Sequence, residues 1–243
     1  MGAYFMGLTH IINMYLSLEN ITVKYGKFVA LNDITLGIQK GDRFGLIGAN
    51  GSGKTTLLKI VIGLLNPNKG KILLNGKEIK PTKKEIRKIL GYCPQQNSFF
   101  EQLTVKENLK FFANLYDVKG DLNKLATSLA KSLNLHEKID VFASNLSGGM
   151  KRRLNIGCSL THNPQILLLD EPTIELDPFS RMTIWNLIKK INQQGTTVIV
   201  STNVMEEANF LCNNVIFLVR GNIRYFGRPQ EITKLINRYV WSE

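Results

Sequence analysis

Gly48-Ala49-Asn50-Gly51-Ser52-Gly53-Lys54-Thr55 decides the fold of this chain. The octapeptide satisfies G-x-x-x-x-G-K-S/T. In such a loop the glycines let consecutive backbone N–H groups turn inward on an anion, and the helix that follows adds its dipole. The flanks are those the motif needs: residues 43–47 form a short apolar run that reads as a buried strand, and residues 55–65 have helical spacing. Lys54 is then expected to reach the outer phosphates of a nucleoside triphosphate and Thr55 to place its hydroxyl on Mg²⁺. Gly48, Asn50, Gly51, Ser52, Gly53 and Thr56 belong to the same nucleotide-binding set.

Upstream, residues 15–24 alternate apolar and polar as a half-buried strand does, Tyr25-Gly26-Lys27 turns the chain, and residues 28–38 read as a second strand. Downstream come a loop at 66–70, a strand at 71–74, a helical stretch at 82–89 and a strand at 90–93 that breaks at Pro94. From about 98 to 162 the pattern turns helical. Thr104 starts one helix with Glu107 completing a capping box, Asp121 starts another, and a third follows Ser147. Alternation then resumes, with strands at 165–169, 196–201 and 215–219 and helices at 179–192 and 204–211. Such alternation implies a parallel sheet covered by helices. The expected fold is α/β: a P-loop NTPase core with a parallel sheet, an N-terminal antiparallel β subdomain and an inserted α-helical subdomain at about 98–162. Residues 1–14 form an extension, read as a plain leader to the domain, as the result of a start codon placed before Met14, or as a helix that touches a membrane or partner.

Composition narrows the classes. The chain has 243 residues, 44% hydrophobic and 21% charged, as a folded globular protein has. A net charge of +12 suits an anionic partner or anionic lipid, but no aromatics interleave with the basic residues as a base-stacking platform requires. The clusters at Lys80-Lys83-Lys84-Arg87-Lys88 and Lys151-Arg152-Arg153 therefore read as solvated surface, and no nucleic acid is expected. Cys93, Cys158 and Cys212 lack metal-site or redox-pair spacing and suit a reducing compartment. No run of 18 apolar residues occurs, so no membrane span is expected.

Two further motifs carry chemistry. Residues 166–169 are apolar and end in Asp170-Glu171. Asp170 fits the Mg²⁺-supporting carboxylate of P-loop enzymes, and Glu171 can orient or deprotonate an attacking water. Leu146-Ser147-Gly148-Gly149-Met150 is a second glycine loop: Ser147 can cap the helix while Gly148 and Gly149 bare backbone N–H groups to an anion. One triphosphate needs one such loop, so the second is surplus or half of a site completed by another molecule.

The combination resembles the nucleotide-binding domain of ATP-binding cassette (ABC) transporters, from about Tyr15 to the C-terminus. LSGGM is similar to the family signature, with Met150 for the usual Gln. Tyr25 matches the aromatic that stacks on adenine, Gln95 the Q-loop glutamine and Asp177 the D-loop aspartate. The resemblance implies two such domains dimerised head to tail, with ATP–Mg²⁺ between one P-loop and the other signature loop. Ser147, Gly148, Gly149 and Asp177 would serve the shared nucleotides. Gln95 would join Thr55 and Asp170 around Mg²⁺ and act with Glu171 and Lys54 in hydrolysis. It further implies an integral membrane permease as a separate chain, which places this subunit peripherally on the cytoplasmic side of the membrane. Residues 146–154 and 204–208 look most like exporters of drugs, polysaccharides or lipids.

Two departures qualify this. Asn203 stands where the family has a histidine that contacts the γ-phosphate, and Asn can donate a hydrogen bond but carry no proton. Glu175 stands where the family commonly has a small residue, often Gly. Three readings of Asn203 stay open: a working ATPase that tolerates it, the weaker half of an asymmetric heterodimer, or a change introduced to trap the ATP state. Slow or partner-dependent hydrolysis is expected. A soluble non-transport ABC ATPase and a non-hydrolysing regulatory subunit are the alternatives.

Overall fold

The computed structural model describes residues 14–80 and 82–232, so the reading of the N-terminal extension lies, but for Met14, outside the described residues. The chain divides into two compact units. Lys88–Thr196 forms one, and the segments before and after it form the other.

The first segment runs β1 (Leu16–Tyr25), β2 (Phe28–Ile38), β3 (Arg43–Ile47), α1 (Lys54–Val61), β4 (Lys69–Leu74), β5 (Lys77–Ile79) and α2 (Lys84–Arg87). The intervening unit holds β6 (Leu90–Cys93), α3 (Val105–Leu115), α4 (Leu122–Ser132), α5 (Gly148–Leu160), β7 (Ile166–Asp170) and α6 (Pro178–Gln193). The chain then adds β8 (Thr197–Thr202), α7 (Met205–Leu211), β9 (Asn214–Val219) and β10 (Asn222–Gly227).

The discontinuous unit contains an antiparallel sheet in the order β2-β1-β4-β5. It also contains the strands β10-β9-β3-β8, in which β3 runs parallel to β8 and to β9, and β10 returns antiparallel along β9. Strand β3 is flanked by a strand on each side. Phe44, Leu46 and Ile47 are all buried, as expected of a parallel strand with both faces covered.

In the helical unit, β6 pairs in parallel with β7. Every residue of β7 is buried. The helix starts expected from the sequence are present: Thr104 and Glu107 form a capping box on α3, and Asp121 accepts from the Asn123 and Lys124 amides at α4. Ser147 caps α5, and Asp177 caps α6 with Pro178 in the first turn. These caps satisfy N–H groups that a helix start otherwise leaves open.

Two strands go beyond the sequence reading. Asn75 and Gly76, both at positive φ, turn β4 into β5, and Arg220 and Gly221, at φ of 48° and 72°, turn β9 into β10. Two successive residues at positive φ are the geometry a tight antiparallel hairpin demands. Helix α1 ends at Val61, short of the expected residue 65, because Gly63 takes φ of 73°. No helix among the described residues is long and apolar enough to cross a membrane.

Candidate nucleotide site

The phosphate loop lies within the discontinuous unit, between β3 and α1. Gly53 adopts φ of 110°, and a Cβ there would lie 2.8 Å from Leu31 and 2.9 Å from the Ala30 carbonyl of β2. At Gly48 a Cβ would meet the Leu218 carbonyl and the Ser52 hydroxyl. Both glycines are thus required by close backbone approach. From the other side, the Gly221 amide of the β9–β10 hairpin donates to the Ser52 carbonyl at 3.0 Å. The loop is therefore wedged between β2 and that hairpin.

Within it, Lys54 is only 4% exposed, and its ammonium donates to the carbonyls of Gly48 (2.7 Å) and Ala49 (3.1 Å). The Ser52 hydroxyl is buried with no hydrogen-bond partner among the described residues. Helix α1 starts without a side-chain cap or an acidic residue in its first turn. An orphaned hydroxyl, a buried ammonium and uncapped helix amides form a donor set that fits phosphate oxygens. Asn50 and Gly51 are exposed at the loop's tip, and Thr55 and Thr56 are half-buried on α1. Tyr25, at the end of β1, has 50% of its surface exposed, so its ring is open for stacking. Asn203 lies beyond β8 with its Nδ2 3.4 Å from Asn50 Oδ1, so the residue in the histidine's place sits beside the P-loop.

The helical unit carries the remaining candidates. Asp170 is buried at the end of β7, and Glu171 follows at φ of 44°, a left-handed conformation that a non-glycine residue adopts under constraint. The phenol of Tyr92 lies 3.5 Å from Asp170 Oδ2, and burial together with that carboxylate holds Tyr92 well above the usual phenol range. Gln95 is exposed just after β6. Ser147 and Gly148 are exposed at the start of α5, which likewise has no acidic residue in its first turn. Asp177 is held below the usual carboxylate range by the Ser180 hydroxyl and amide.

The Thr55 hydroxyl in one unit, and the Gln95 amide oxygen and Asp170 carboxylate in the other, are each hard oxygen donors of the kind Mg²⁺ takes alongside waters and substrate phosphates. Among the described residues no three His, Cys, Asp or Glu side chains gather to cage a metal unaided.

The basic triplet Lys151-Arg152-Arg153 corrects the solvated-surface reading. Lys151 pairs with Glu101 at 2.9 Å, Arg153 donates to the Leu133 and Asn134 carbonyls, and Arg152 is buried. The other cluster is exposed as expected, at Lys80, Lys83, Lys84, Arg87 and Lys88. Arg152, Asn155 and Tyr92 are the site-facing residues that sequence reasoning passed over.

Comparison with known proteins bears on this arrangement. Residues 31–174 match the family model described as ABC transporter. ABC transporter A family member 12 of Arabidopsis thaliana is 39% identical over 84% of this chain, but the chain spans only 22% of that protein's length. The linearmycin resistance ATP-binding protein LnrL of Bacillus subtilis is 35% identical over 89% of this chain and 70% of its own. The Nod factor export ATP-binding protein I of Sinorhizobium fredii is 34% identical over 89% of this chain and 64% of its own. Among solved structures, cbiO1 from Clostridium perfringens, part of the ABC transporter complex cbiONQ, superposes with a TM-score of 0.83 at 28% identity, covering 94% of each chain. The dimeric ATP-binding cassette MJ0796, bound to ADP and Pi in a post-hydrolysis state, gives 0.79 at 28% identity, over 88% of this chain and 98% of that one.

Proposed function

The chain belongs to the ABC transporter family, and we propose that it is the ATP-binding subunit of an exporter, closing head to tail with a second ABC subunit on ATP. The observation that carries this is the phosphate loop: a buried Ser52 hydroxyl without a partner and a buried Lys54 ammonium, in a loop whose Gly48 and Gly53 admit no side chain. The exposed Ser147 and Gly148 support a role for the second glycine loop at a partner's nucleotide. The names of the relatives, for Nod factor export and linearmycin resistance, support export as the direction.

In this reading Tyr25 stacks on adenine, the loop amides and Ser52 bind the β-phosphate, and Lys54 holds the outer phosphates. Glu171 orients the attacking water and accepts its proton. Thr55, Gln95 and Asp170 would hold Mg²⁺, which when bound would neutralise charge on the phosphate oxygens. Asp177 and the pair Gly148-Gly149 face the second subunit. Helices at about 98–162 form the lobe that receives a separate membrane permease, which holds the subunit at the cytoplasmic face. Asn203 offers the γ-phosphate an amide but no proton, so turnover is slow or depends on the partner subunit. That same residue favours a second reading, a nucleotide-binding regulatory half of a heterodimer.

The test is ATP–Mg²⁺ binding and turnover by the purified chain, alone and with its permease. Binding that disappears in Lys54→Ala, with weak turnover that rises in Asn203→His, is expected. Brisk turnover that Asn203→His leaves unchanged overturns the slow-switch reading. Tight binding with no turnover in the complex, even after Asn203→His, selects the regulatory half.

A further inference from the structure

Arg152 has no role in the scheme above, yet its guanidinium makes five hydrogen bonds inside the helical unit. It rises from α5 one turn beyond the signature loop and is only 6% exposed. Its Nε donates to the Pro172 carbonyl at 2.7 Å. Nη1 donates to Pro94 and Gln95 carbonyls, both at 2.9 Å, and Nη2 to those of Asp170 and Glu171, again both at 2.9 Å. A guanidinium has five N–H donors in a fixed planar fork, and here each one ends on a different backbone carbonyl.

Those carbonyls come from the two segments that carry Gln95 and Glu171. Successive carbonyls of an extended strand point to opposite sides. Three in a row, from Asp170, Glu171 and Pro172, converge on one cation, so the backbone must leave the strand conformation there. The left-handed φ of Glu171 is that departure. One turn along α5, the buried Asn155 grips the same Gln95 segment. Its Nδ2 donates to the Pro94 and Gln96 carbonyls at 3.2 Å each, and its Oδ1 accepts from the Ser98 amide (3.0 Å) and hydroxyl (2.7 Å).

We propose that Arg152 is a positioning residue for hydrolysis: it locks the backbone of Glu171 and the backbone of Gln95 onto one guanidinium, so that the aim of the Glu171 carboxylate depends on the position of the Gln95 segment. This rests on the ATPase reading above. Lysine cannot substitute, because three rotatable donors on a point charge cannot serve five carbonyls arranged around a planar fork.

The experiment compares the wild-type chain with Arg152→Lys and Arg152→Gln, full length, by two readouts. The first is hydrogen exchange of the nucleotide-free chain. Both variants should exchange faster in peptides covering residues 92–98 and 168–174 together, with the rest of the helical unit unchanged. The second is steady-state turnover. Affinity for ATP measured without Mg²⁺ should stay within about twofold, since the phosphate loop is elsewhere in the chain, while kcat with Mg²⁺ falls about a hundredfold in Arg152→Gln and less in Arg152→Lys, as misplacement of a reacting group by about 1 Å produces. Exchange that rises in one segment only, or a kcat within twofold of wild type, overturns the proposal. If Arg152→Gln does not fold, Arg152→Lys decides: a kcat loss at constant nucleotide affinity supports the clamp, and a parallel loss of affinity and global stability refutes it. A wild-type chain that binds no ATP sinks the functional reading instead, and the exchange experiment still tests the clamp.

Discussion

Replacing Glu175 with glycine should stabilise this chain through the backbone alone. Glu175 sits between Glu171 and the α6 cap at φ of 62°. Its side chain is exposed, so truncation removes no buried contact. The left-handed conformation costs an L-residue about 1–2 kcal/mol, because its Cβ approaches the following carbonyl. Glycine escapes that cost but loses more freedom on folding, about 0.5–1 kcal/mol. Midpoint against midpoint the net gain is about 0.75 kcal/mol, which raises Tm by roughly 1.5–3 °C in a domain of this size. Glu175→Ala keeps the Cβ, so it should shift Tm little, and Glu175→Asn should fall between, because Asn tolerates this region. Calorimetry on the three variants is the assay. If Glu175→Ala stabilises as much as Glu175→Gly, the gain comes from deleting a carboxylate and the backbone argument is wrong. If Glu175→Gly gives no gain, the strain assigned to φ is absent.

Other outcomes follow from the same geometry. Ser52→Ala removes a buried hydroxyl that has no partner, so the nucleotide-free chain should become more stable by about 1 kcal/mol. ATP affinity should fall about tenfold or more through loss of a charge-assisted bond, and calorimetry with nucleotide titration reads both signs. Gly148→Ala projects a Cβ into open space, so Tm should hold or rise with helix propensity; turnover of the assembled dimer should nevertheless drop at least about tenfold, while ATP binding to the single chain is unchanged. His162 stacks on Tyr116 with ring centroids 3.7 Å apart and shares a 3.0 Å hydrogen bond with the Leu90 carbonyl, and burial lowers its pKa below the ordinary histidine value. The unfolded chain therefore takes up a proton near pH 6.5 while the folded chain resists. The stability from this group is full above that pH and is lost as pH falls through the depressed folded value. Urea midpoints of wild type should decline over that range and those of His162→Phe should decline less; equal slopes would discard the assignment.

What was legible in the sequence had local causes. The phosphate loop, the carboxylate strand and the caps at Thr104, Asp121 and Ser147 depend on neighbours within a few residues, so spacing alone exposes them. The β4–β5 hairpin was passed over although Asn75-Gly76 is the strongest short hairpin signal, because β5 is only three residues long and offers little alternation. Hairpin β9–β10 turns on Arg220-Gly221 and lacks the Asn or Asp that would flag it. The triplet at 151–153 misled for a different reason. Consecutive helical residues point about 100° apart, so three adjacent cations met an acid, an interior and a neighbouring turn. Only long-range packing decides which of them is buried. Within each unit separately, Asn203 lies beside Asn50 of the P-loop in one, and the backbone of Gln95, Asp170 and Glu171 is tied to α5 in the other.

The buried ammonium of Lys54 has a bearing on how variants of this protein are selected. An ammonium withdrawn from water costs folding energy even when two carbonyls receive it. A screen that rewards only thermal stability would therefore drift toward an apolar residue at position 54, just as it would toward alanine at 52. Both drifts disarm the phosphate loop while leaving a better-folded molecule. Thermostability and nucleotide retention are thus opposed at the same few residues, and a library that does not select for bound nucleotide will enrich inert chains.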